Sequence, residues 1–120
     1  MANQLFFDLY ACDKNVLDDM ERIKEIAHNV ITKMGAGIVE ECMHKFEPIG
    51  VTYIAVITTS HFSVHTWPEY GYAAVDIFSC DESVPNVIGQ YIAEAFGAKK
   101  NISREFDRDI EGRKLEWNSQ

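Results

Sequence analysis

Basic residues are scarce in this 120-residue chain: 11 Lys and Arg stand against 19 Asp and Glu, a formal net charge of −8. Binding nucleic acid or an anionic membrane requires a basic patch to meet phosphates, so neither partner is expected. Cysteine is sparse and odd in number, Cys12, Cys42 and Cys80, with no Cys-x-x-Cys pair. That excludes a disulfide framework and a zinc knuckle, and no metal site is expected. No apolar run approaches the roughly 20 residues of a membrane helix. The first eight residues lack the basic start of a signal peptide and already contain Asp8, so the expectation is a reduced, cytoplasmic protein. Only three prolines and seven glycines are present, with no linker rich in either and no repeat, which predicts a single domain over residues 1–120.

What the chain does contain is enough apolar material for a core, at 47% of residues. Bulky and aromatic residues at 4–10 read as a strand. Asp13 offers an N-cap, and Leu17, Met20, Ile23, Ala27, Val30, Ile31 and Met34 recur at helical spacing until Gly35 and Gly37 end the pattern. Strands follow at 38–46, 51–58, 61–67 and 72–78. Asp81 or Ser83 with Pro85 signals a second helix running to Gly97. A short strand is expected at 101–106, and the charged remainder is expected to be loosely held. The order β-α-ββββ-α-β predicts an α+β, two-layer sandwich, an antiparallel sheet with two helices on one face.

A hairpin turning at 68–71 pairs Trp67 with Tyr72, His65 with Ala74, Ser63 with Asp76 and Thr59 with Cys80. Alternation sends Phe62, Val64, Ala73, Val75 and Ile77 to one face, an ordinary core surface. His61, Ser63, His65, Trp67, Tyr72, Asp76, Phe78 and Cys80 take the other. Three aromatics and a cysteine suit solvent poorly, and residues 51–58 are apolar on both alternations, so this second face is expected to be covered by a ligand or another subunit. In a short, unstrained register Cys80 lies beside the Thr59–Ser60 peptide bond, with His65 a little further along. Serine, histidine and cysteine near one backbone link can act as nucleophile, base and acid.

The ungapped run from Thr59 to Cys80, with Ser60-His61, His65-Thr-Trp-Pro-Glu69, Ala73, Asp76 and Cys80 at fixed spacing, resembles the core of prokaryotic S-adenosylmethionine decarboxylases. Looser similarity takes in Tyr10-Ala-Cys-Asp13, His44-Lys-Phe46 and Pro48-x-Gly50. The resemblance implies a self-processing proenzyme, cut between residues 59 and 60 into a β chain of residues 1–59 and an α chain of residues 60–120. Ser60 would become a pyruvoyl group, the only cofactor implied, able to form a Schiff base with the substrate amine and accept the charge left by departing carbon dioxide.

By the same resemblance His65 is the processing proton acceptor, and Cys80 is the general acid that reprotonates the substrate α-carbon. Glu69 binds the ribose hydroxyls and Phe46 stacks on adenine. Trp67 or Tyr70 can face the sulfonium, Asp76 is a supporting acid, and Cys12 and Cys42 are assigned to packing. Thr52 and Thr59 take part in processing, at positions where the family often has serine and glutamate, and Gln4 stands where a histidine is frequent. The implied partners are S-adenosylmethionine and a second copy in an (αβ)₂ dimer with the pocket at the interface. The implied product, S-adenosylmethioninamine, serves as aminopropyl donor for spermidine. The alternatives are a pyruvoyl-dependent arginine or ornithine decarboxylase, or an unprocessed regulatory paralogue.

Overall fold

The computed structural model describes residues 2–80 and 87–112. Its elements are β1 (Ala2–Tyr10), a one-turn α1 (Lys14–Leu17), α2 (Met20–Lys33), β2 (Ile38–Lys45), β3 (Val51–Ile57), β4 (Ser60–Trp67), β5 (Tyr72–Ser79), α3 (Ile88–Ala95) and β6 (Lys100–Arg108). The strands form one six-stranded sheet in the order β2-β3-β4-β5-β1-β6, antiparallel at every junction. Ile23, Ala27 and Val30 of α2 and Ile88 and Ile92 of α3 are fully buried in one cluster with Phe62, Val64, Val75 and Ile77 of the sheet. The helices therefore cover one face, the α+β sandwich that the element order predicts. No helix among the described residues is long and apolar enough to cross a membrane.

The first helix departs from expectation. A continuous run from Asp13 to Met34 is broken at residues 18–19, because successive aspartates end one helix and start another. Asp13 accepts from the Asn15 N–H at 2.9 Å and caps α1, while Asp19 accepts from the Arg22 N–H at 3.0 Å and caps α2. Short carboxylates compete for backbone donors, which favours caps over helix interiors. The expected second helix start at Asp81, Ser83 and Pro85 lies outside the described residues, as does the tail at 113–120. The last strand runs further than expected, to Arg108, because its ladder with β1 continues to Ala2.

The β4–β5 connection is a 3-10 turn at Pro68–Tyr70, closed by Gly71 in the left-handed region (φ 64°). Its carbonyl accepts from the Cys12 N–H at 2.9 Å, and an added Cβ would sit 3.5 Å from Ala11 Cα, so glycine serves both conformation and close approach.

A polar cluster ties α2 to the sheet edge on the covered side. Glu41 Oε2 accepts from the Tyr53 hydroxyl at 2.6 Å and lies 2.7 Å from His28 Nε2. The Tyr53 hydroxyl above all, then His28 and Lys24, holds the Glu41 carboxyl below its ordinary range against the opposing effect of burial. A carboxylate held down in this way stabilises the fold above its unfolded pKa and stops doing so as pH falls through the folded value. Glu41→Gln, placed in a Ser60→Ala chain to keep one polypeptide, should lose about 1 kcal/mol at neutral pH in urea unfolding. The gap from its parent should close in acid; a gap constant with pH would remove the ionic contribution.

Candidate functional site

The β4–β5 register is the one read from the sequence: Trp67 faces Tyr72, His65 faces Ala74 and Ser63 faces Asp76. Beyond the ladder, the Cys80 N–H donates to the Thr59 carbonyl at 2.9 Å. The outer face of the sheet carries no helix among the described residues, and it leaves Ile54, Val56, Trp67 and Phe106 between 40% and 54% exposed.

Polar residues gather at opposite ends of the sheet. At one end β3 and β4 are joined by a turn of just Thr58 and Thr59, since Ile57 pairs with Ser60. Turns this tight favour glycine or asparagine, which tolerate positive φ. Neither stands at positions 58–59, and the strain falls on Ser60, whose φ is 150°. A non-glycine residue held there stores roughly 1–3 kcal/mol. The turn cannot relax freely: Thr58 donates its N–H to the Gly37 carbonyl at 2.9 Å and accepts the Gly37 N–H on Oγ1 at 3.0 Å. Thr59 Oγ1 is the one buried side-chain polar atom without a hydrogen-bond partner among the described residues.

At the other end a cleft of about 400 Å³ is lined by Phe46, Gly50, Thr52, His65, Trp67 and Glu69. His65 Nδ1 and Thr52 Oγ1 are 3.0 Å apart, and the Trp67 ring lies 6.4 Å from the His65 ring. Phe46 packs edge-on against His44 at 4.5 Å. Between the two ends, Asp76 is pushed above the ordinary carboxylate range by burial, with His65 and His61 pulling it the other way.

The expected cluster of serine, cysteine and histidine thus divides. Cys80 does stand beside the Thr59–Ser60 link, but the register there is strained, not relaxed. His65 is further along β4 by roughly 16 Å at the usual rise per residue. Proton transfer needs about 3 Å, far less than that separation.

A profile of the S-adenosylmethionine decarboxylase family matches residues 3–109. The chain belongs to this family. The S-adenosylmethionine decarboxylase proenzyme of Pelotomaculum thermopropionicum is 40% identical over 111 residues, covering 92% of this chain and 88% of that one. The same-named protein of Carboxydothermus hydrogenoformans is 41% identical, covering 92% and 87%. The crystal structure of adenosylmethionine decarboxylase from Aquifex aeolicus VF5 superposes with a TM-score of 0.83 at 27% identity, over 92% of both chains. Family membership states the overall reaction, decarboxylation of S-adenosylmethionine.

Among the remaining cysteines, burial pushes the Cys12 thiol up to about 11, as suits a packing residue. Cys42 differs from expectation: β2 is an edge strand, and alternation turns Cys42 outward opposite Ile54, where it is exposed. Gln4 lies on the outer face opposite Phe78. Sequence reasoning put Tyr72 on this face but missed its partner: the Tyr72 hydroxyl donates to Asp8 Oδ1 at 2.6 Å and is pushed above the ordinary tyrosine range by burial and that carboxylate. It also missed the groups that hold the 46–50 turn, for no local pattern brings residue 18 to that turn.

An unpaired buried hydroxyl costs about 1–3 kcal/mol, so Thr59→Val in a Ser60→Ala background should raise stability by roughly 1 kcal/mol. A loss of stability in thermal unfolding would mean that Thr59 Oγ1 has a partner.

Proposed function

We propose that the decarboxylation runs on a pyruvoyl group made from Ser60 by self-cleavage of the Thr59–Ser60 bond, in a site built from two copies of the chain. The observation that carries the first half is the 2.9 Å hydrogen bond from the Cys80 N–H to the carbonyl of Thr59, next to a strained Ser60. That carbonyl carbon is the electrophile for Ser60 Oγ, and the bond from Cys80 steadies the negative charge that grows on its oxygen. Attack moves the acyl group from nitrogen to oxygen. Loss of the Ser60 α-proton then expels the Thr59 carboxylate, and water replaces the resulting enamine nitrogen as ammonia, leaving the ketone at the new terminus. Distortion at Ser60 is relieved by the cut.

The second half rests on the separation of the two ends of the face. Two copies stacked by their exposed sheet faces about a two-fold axis, strands antiparallel, would lay the Ser60 and Cys80 end of one over the Thr52 and His65 end of the other. Such a dimer also removes Ile54, Val56, Trp67 and Phe106 from water. In this (αβ)₂ assembly the proton from Ser60 passes to His65 of the partner subunit. Thr52 engages Nδ1, so exchange falls to Nε2.

A ketone next to an amide supplies an electron sink for loss of carbon dioxide. The chain's own residues bind and protonate. Phe46 and Trp67 offer flat faces to a base and attraction to a sulfonium. Glu69 can accept hydrogen bonds from both ribose hydroxyls, and Cys80 delivers the proton to the α-carbon. The aromatic pair with Glu69 in one cleft favours S-adenosylmethionine over arginine or ornithine. The product, S-adenosylmethioninamine, is suited to donate its aminopropyl group to spermidine.

Denaturing mass spectrometry should find two fragments meeting at residues 59 and 60, and Ser60→Ala should abolish both the cut and carbon dioxide release. A whole wild-type chain that still turns over substrate would refute the pyruvoyl reading, and a whole, inert one would favour a regulatory subunit. Carbon dioxide release should be seen with S-adenosylmethionine and not with arginine or ornithine.

For the shared site, Cys80→Ala and Glu69→Gln should each be inactive alone. Co-expressed, they should regain roughly a quarter of wild-type activity, since half the dimers are mixed and each holds one intact site. No recovery in mixed dimers isolated by two tags would place all the groups within one protomer.

A further inference from the structure

The cleft's most exposed aromatic wall sits on a turn with little support of its own. Phe46 is 46% exposed and begins the five-residue connection from β2 to β3, which closes on itself through the Phe46 N–H to Gly50 carbonyl bond at 2.8 Å. Gly50 has φ 113°, and an added Cβ would lie 3.5 Å from the Thr66 carbonyl and 3.7 Å from Phe46 Cβ. Glycine is favoured there, and the turn's own hold on Phe46 is that backbone bond together with the edge-on contact of its ring with His44.

A second hold, from outside the turn, comes from the break between α1 and α2. Asp18 Oδ1 accepts from the Gly50 N–H at 2.8 Å and pairs with Lys45 Nζ at 2.9 Å. Lys45 Nζ also donates to the Phe46 carbonyl at 3.1 Å. One carboxylate thus holds the end of the turn directly and its beginning through a single ammonium. The lysine bond and the Gly50 N–H keep the Asp18 carboxyl below its ordinary range.

The base on which Asp18 stands is rigid. Leu17 is fully buried, and its carbonyl accepts from the buried Thr66 hydroxyl at 2.7 Å. Thr66 Oγ1 in turn accepts from the Val51 N–H at 2.9 Å, one residue past the turn. The helix break, β4 and the start of β3 are therefore locked together, with Asp18 reaching from that frame to the turn that carries Phe46.

We infer that Asp18, with Lys45, is a positioning residue for substrate: it fixes the 46–50 turn so that Phe46 stands preformed as a wall of the cleft. This rests on the reading of Phe46 as a substrate-stacking residue. Asp18 touches neither the Ser60 end nor His65, so its contribution belongs to binding and not to the cut or to proton delivery. Preorganising a contact lowers the cost of ordering it when ligand arrives.

The test is steady-state kinetics with S-adenosylmethionine on fully cleaved wild type, Asp18→Ala, Asp18→Asn, Phe46→Ala and the Asp18→Ala/Phe46→Ala double variant. Asp18→Ala should raise KM by about tenfold with kcat within about twofold, the signature of lost uniform binding. Asp18→Asn keeps an oxygen for the Gly50 N–H but loses the ion pair, so its KM should fall between. In the Phe46→Ala background, removing Asp18 should add little, because a residue acting through another is non-additive with it. Full additivity, an unchanged KM in both Asp18 variants, or a fall in kcat at constant KM would each overturn the inference. If Asp18→Ala fails to fold, the same readings on Asp18→Asn decide. Failure of the underlying reading is separate: Phe46→Ala would then leave KM unchanged.

Discussion

The backbone ladder between β4 and β5 is the constraint on which the rest of the molecule depends. Its register sends Phe62, Val64, Val75 and Ile77 into the core and His61, Ser63, His65 and Asp76 to the opposite face. A slip of one residue would exchange the two sets, burying histidines under the helices and exposing the aliphatic floor. The same ladder, carried one step further, sets the Cys80 N–H on the Thr59 carbonyl. Core formation and the geometry of the Thr59–Ser60 peptide are thus consequences of one pairing.

The covered and uncovered faces divide the labour. Helices α2 and α3 supply the apolar contacts, while the outer face leaves four large apolar side chains exposed. Strain is confined to Ser60 and Ala11 among the described non-glycine residues, and the position that carries chemistry in the proposed reading is one of them (φ 150°). A tight threonine turn pinned by Gly37 can hold that distortion because the strands on either side of it are paired. At the far end, order comes from a different device, a carboxylate at a helix break that holds a glycine-closed turn.

Much of this was legible in the residues. Strand-forming runs mark β3, β4 and β5 to within a residue of their observed bounds, with period-two alternation in β4 and β5, and the hairpin register follows from where Pro68 and Gly71 fall. The spacing from Ser60 to Cys80 carries the family. The reading of the first helix was wrong in one respect, because apolar periodicity continues through residues 18 and 19 while their side chains prefer to cap. Periodicity reports which face is buried, and it is silent on whether the backbone beneath is continuous.

Sequence by itself determined which residues pair across the β4–β5 hairpin, which face is apolar and which side chains have chemistry to offer, because these follow from local spacing and side-chain type. Only the tertiary structure decided the distances between groups. It separated His65 from Ser60 by several strand residues, exposed Cys42 on an edge strand, and brought Asp18 to Gly50 across 32 positions of chain. Such contacts depend on where whole elements pack, and no window of neighbouring residues contains that information.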